Sequence, residues 1–163
     1  MFWIQKWNPA FRPLPVSTVF EMCIARAAFD ALGSRPLEDE NAGDLSTAYW
    51  LSLENMVRGA STEEDWSMVT FALNIGLILC EFGIGTEYEQ HFITALDGAF
   101  RCKLRADRTA AWRFDGEALG LIRLALEVHD EQIKLATKDE LRTALLEVRR
   151  RVEEGNVYHA AAA

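Results

Sequence analysis

The chain has 163 residues, half of them hydrophobic and 26% charged, with a formal net charge of −8 at neutral pH. That length and balance fit one globular domain with its own core and exclude a disordered chain. The acidic excess argues against non-specific attraction to nucleic acid or to an anionic membrane, because a phosphate-binding surface needs a basic excess; only a local basic patch could serve that role.

The opening Met1-Phe2-Trp3-Ile4-Gln5-Lys6-Trp7-Asn8-Pro9 lacks the continuous apolar core of an export signal. No run approaches the roughly 18 apolar residues of a membrane span, so a cytoplasmic protein is expected. Pro9, Pro13 and Pro15 exclude a regular helix and predict an extended arm over residues 1–16, ahead of a helical domain over 17–155 and a fraying tail over 156–163. The arm interleaves Trp3, Trp7 and Phe11 with Lys6 and Arg12, and its prolines limit the entropy lost on docking. Trp3, Trp7, Phe11 and Arg12 are therefore candidate interaction residues, either in a partner's groove or folded back over the domain's own core.

Helices follow. Thr18 with Glu21 has capping-box spacing, and Phe20, Cys23, Ile24, Ala27, Ala28 and Ala31 recur at helical intervals until Gly33. Residues 33–44 combine turn formers with acids and read as a solvated loop. A second helix is expected from about Leu45 to Arg58, with Ala48, Leu51 or Tyr49, Leu53, Met56 and Val57 facing inward and Gly59 ending it.

Ser61 with Glu64 predicts the next cap, and Glu63, Glu64 and Asp65 suit the positive end of a helix. From Trp66 to Phe82 one apolar row holds Trp66, Val69, Leu73, Leu77 and Cys80, and another holds Met68, Phe71, Ala72, Ile75, Ile78, Leu79 and Phe82. A helix apolar on two faces belongs at the centre of the fold. Gly83-Ile84-Gly85 closes it, and Thr86 with Glu89 is expected to open a helix whose stripe is Tyr88, Phe92, Ala95, Leu96, Ala99 and Phe100, packed antiparallel to the one before.

After a loop near residues 107–114, Asp115 is the expected cap of a helix carrying Leu119, Ile122, Leu126, His129 and Ile133. Thr137 with Glu140 caps the last helix, where Leu141, Leu145, Val148 and Val152 face inward before Gly155. Alternating β-type segments are absent, so the expected fold is all-α: a compact bundle of about six helices behind an extended arm.

Cys23, Cys80 and Cys102 lie within apolar helical patterns without metal-ligand spacing, which predicts buried free thiols. Glu127, His129 and Asp130 are the nearest approach to a metal cluster, but their spacing does not place two ligands on one helical face, and His129 reads as a core or interface histidine. His91 and His159 have no neighbouring nucleophile, and the glycines at 83 and 85 lack a phosphate-loop frame. No catalytic, cofactor or metal residue is assigned. The clearly basic stretch is Arg101, Lys103, Arg105, Arg108 and Arg113, interrupted only by Asp107. It would either grip an anion or partner, or complement the helix dipole and pair with acids elsewhere, and Arg149, Arg150 and Arg151 invite the same two readings.

Several segments carry a resemblance: Arg12-Pro13-Leu14-Pro15-Val16, Gly59-Ala60-Ser61-Thr62-Glu63-Glu64-Asp65, Ala72-Leu73-Asn74, Gly83-Ile84-Gly85-Thr86-Glu87-Tyr88, Phe114-Asp115-Gly116 and Leu126-Glu127-Val128-His129-Asp130-Glu131-Gln132. In these the chain resembles a group of small proteins of proteobacterial bacteriophages and prophages. It departs from them at Ala111-Trp112-Arg113-Phe114, where members often carry Thr-Gly-Arg-Phe, and in having fewer basic residues in the arm. The resemblance implies a phage or mobile-element origin and action inside an infected bacterial cell, and transfers no site residue.

The expected function is non-enzymatic: an accessory protein that binds a phage or host protein, inhibition of a host defence or regulatory protein being one form. Two alternatives stay open, a nucleic-acid-binding regulator using residues 101–113 and a metal-dependent helical enzyme. The apolar load around Tyr49, Trp50 and Trp66 also raises a homodimer that buries one excess face.

Overall fold

The computed structural model describes residues 39–154, of which 39–44 are described as helical backbone alone. The arm, the helix expected from Thr18, Cys23, His159 and the tail lie outside the described residues. Within them run five α-helices: α1 Asp39–Arg58, α2 Glu63–Glu81, α3 Glu89–Thr109, α4 Gly116–Leu135 and α5 Lys138–Glu153, with a 3-10 turn at Thr86–Tyr88. No strand occurs among the described residues, and none of their helices is long and apolar enough to cross a membrane.

Helix α1 starts at Asp39, so residues 39–44, expected as loop, are helical. Gly43 weakens the helix by only about 1 kcal/mol relative to alanine, so it does not end it. The inward face of α1 is Tyr49, Leu53 and Met56, spaced four and three apart. Val57, expected inward, is 44% exposed, and of the alternatives Leu51 and Tyr49 it is Tyr49 that packs, Leu51 being 60% exposed. At about 100° per residue Leu51 stands about 200° from Tyr49, so no single face holds both, and burial chose the larger aromatic.

Helix α2 is the centre. Trp66, Val69, Leu73, Leu77 and Cys80 face a core shared with α1, α3 and α4, while Ile75, Ile78 and Leu79 face a second core built with α5. Each large apolar side chain buried on either face stabilises the fold by about 1.5–3 kcal/mol. Phe82, assigned to the second row, is 40% exposed because it is already the C-cap. At the other end the cap lies one residue later than expected: the Asp65 carboxylate accepts the Thr62 backbone N–H at 2.8 Å. Ser61 instead donates its hydroxyl to the Trp112 carbonyl, tying the start of α2 to the loop before α4.

The helix stop at residues 83–85 is local chemistry. Gly83 has φ +94°, its N–H reaches the Cys80 carbonyl at 3.0 Å, and the Ile84 N–H reaches Leu79 at 2.9 Å, which together satisfy the last carbonyls of α2. Thr86 does not cap a long helix as expected. Its hydroxyl donates to the Cys80 carbonyl at 3.2 Å, and α3 begins only at Glu89, after the 3-10 turn.

Helices α2 and α3 run antiparallel, since Trp66 Nε1 donates to the Ala99 carbonyl at 2.8 Å while Gly76, ten residues on, abuts Phe92. A Cβ at Gly76 would lie 2.2 Å from the Phe92 ring, so this approach needs glycine. The stripe of α3 is Phe92, Ala95, Leu96 and Ala99; Tyr88 and Phe100 lie at its margins, and Cys102 and Ala106 continue it. Asp115 caps α4 through the Ala118 N–H at 2.8 Å, and Thr137 with Glu140 caps α5 reciprocally at 3.2 and 2.8 Å, as the spacing predicts. Cys80 and Cys102 are buried free thiols.

Candidate functional site

The basic stretch does not form one exposed patch. Arg101 lies 3.6 Å from Asp115 and 3.7 Å from Glu117, holding the end of α3 to the start of α4. Together with the Ala118 N–H, it keeps the Asp115 carboxyl below the usual carboxylate range. Lys103 is buried, pairs with Asp107 at 3.0 Å and sits 5.8 Å from the centre of the Trp112 ring. Arg105 donates to the Arg113 carbonyl, and the Arg113 guanidinium fills the space beside Gly59, whose φ of +77° ends α1. Arg108 is exposed near the end of α3. Arg101, Lys103 and Arg105 therefore fasten the 110–115 loop and the helix ends around it.

The C-terminal arginines are also paired. Arg149 bonds Glu153 at 2.8 Å, and Arg150 bonds Glu147 at 2.7 Å and Glu154. Arg151 bridges Glu147 and, across to α2, Glu81, each at 2.6 Å. Hydrogen bonds from Arg150 and then Arg151 hold the Glu147 carboxyl down to about 2.

A polar cluster that the spacing did not reveal joins α1, α2 and α4. Ser46, Tyr49 and Trp50, spaced three and one apart, share a flank of α1 and all donate to Asp130: Ser46 Oγ at 2.7 Å, Tyr49 through its hydroxyl, and Trp50 Nε1 at 2.9 Å. Burial and the bond to Asp130 push the Tyr49 phenol well above its ordinary pKa, so it remains a donor.

One residue earlier, His129 is completely buried, its ring centre 5.6 Å from that of Tyr49. Gln132 sends its amide nitrogen to the carbonyls of Ile84 at 2.7 Å and Gly76 at 3.0 Å, which turns its oxygen toward His129 Nδ1 at 3.4 Å. Nδ1 therefore carries the proton, and Nε2 is a buried lone pair without a hydrogen-bond partner. Burial pushes the imidazole down to about 4, keeping it neutral. Cys80 donates its thiol to the Gly85 carbonyl at 3.0 Å, and burial pushes it up to about 12. These groups are held in their neutral, bonded forms.

The metal candidate does not assemble. Glu127 is exposed, His129 faces the core and Asp130 faces α1; no group of three potential ligands converges among the described residues. The homodimer expectation loses its residues too. Tyr49 and Trp66 are 1% and 6% exposed inside the chain's own core, and Trp50 is half-buried with its N–H given to Asp130. Trp3, Trp7, Phe11 and Arg12 lie outside the described residues.

Apolar surface faces solvent instead along α4. Leu124 and Leu135 are 41% and 75% exposed, and half-buried Leu121 and Val128 lie on the same side of the helix, giving a row at 121, 124, 128 and 135. Tyr88, also partly exposed, lies with the Gln132 amide beside Gly85. The spacing was visible in the sequence, but these leucines repeat helically beside an equally apolar inner face.

Comparison of the chain with protein-family models, with curated protein sequences and with solved structures returned no match.

Proposed function

We propose that this chain is a non-enzymatic accessory protein of phage or mobile-element origin that acts inside a bacterial cell by binding another protein, inhibition of a host defence or regulatory protein being one form of that action. The observation that supports a protein contact is the exposed pair Leu124 and Leu135, continued by half-buried Leu121 and Val128 along the edge of the packed face of α4. Exposed leucines lined along one helix favour a partner with an apolar groove or helix face, because burying them removes apolar area from water without unpairing a charge. Engagement of Arg101, Lys103 and Arg105 within the fold weighs against the alternative of phosphate binding by residues 101–113.

The test is affinity capture from infected or lysogenic cells with the full chain as bait, beside a Leu124→Glu/Leu135→Glu variant whose helical circular dichroism matches the parent. The expected result is a specific protein recovered by the parent and lost by the variant. Recovery of the same protein by both, or of none above background, would overturn the reading.

A further inference from the structure

We draw no further inference here: the strongest candidate, the solvent-facing apolar row on α4 between Leu121 and Leu135, already carries the proposed protein contact, and nothing in the structure shows what covers it.

Discussion

Helices α4 and α5 each carry polar side chains in their C-terminal halves that reach another helix, on α5 Arg151 alone, and the two sets differ in burial. On α4, His129 and Gln132 lie inside the core and Asp130 at its edge, each meeting groups fixed in place by α1, α2 or the 84–85 turn. On α5, Arg149 and Arg150 pair with Glu153, Glu147 and Glu154 where water competes for the charge, and Arg151, its side chain 17% exposed, reaches Glu147 and, on α2, Glu81. A buried donor or acceptor that loses its partner bears the full cost of desolvation, whereas a surface charge is rehydrated. Few polar groups on α4 should therefore outweigh many ion pairs on α5.

The largest expected effect is on pH dependence. His129 has a folded-state pKa near 4 against 6.5 in the unfolded chain, so below pH 6.5 the unfolded state binds the extra proton. Its contribution is complete above pH 6.5 and disappears as pH falls to about 4, a loss on the order of 3 kcal/mol. Urea denaturation at several pH values should show that slope, and a His129→Leu variant should flatten it between pH 6.5 and 5. An equal slope in the variant would remove His129 from the account. Glu147, with its depressed carboxyl pKa, loses its contribution lower, between about pH 4.5 and 2, so acid should act on α4 before α5.

Gln132→Leu should cost about 2 kcal/mol, because the Ile84 carbonyl and His129 lose their buried partner. Arg151→Ala, which breaks the pairs to Glu81 and Glu147, should cost about 1 kcal/mol, less as salt is added. If Arg151→Ala proves the costlier of the two by denaturant midpoint, the contrast between the helices fails. The smallest effect lies away from both: Ala110 ends α3 at φ +57°, and Ala110→Gly should raise the thermal midpoint through a gain of about 0.5 kcal/mol. A lowered midpoint there would show that the Ala110 methyl makes contacts worth more than its strain.

Legibility followed the range of the interaction. The caps at Asp115 and at Thr137 with Glu140 were readable because each is settled within four residues, as was the glycine stop after α2. The two-faced character of α2 was equally plain, since no other arrangement buries both of its rows. Local rules misplaced the cap at Ser61, where the neighbouring Thr62 hydroxyl was chemically equivalent and the distant Trp112 carbonyl took the serine's, and at Thr86, whose hydroxyl donates back to the Cys80 carbonyl. The bonds from Ser46, Tyr49 and Trp50 to Asp130 join residues more than 80 positions apart in two of the three cases, and no spacing rule reaches that far.

The acidic, all-α character of the described chain, its chief helix boundaries and its central helix were determined by the sequence alone, because periodicity, capping and turn chemistry act over a few residues. Which side chains of α1 face inward, whether residues 39–44 join that helix, how the cations near residue 105 are engaged and which leucines of α4 stay in water were decided only by the tertiary structure. Those outcomes depend on which helices lie alongside one another, and burial there ranks side chains that the local pattern leaves equal.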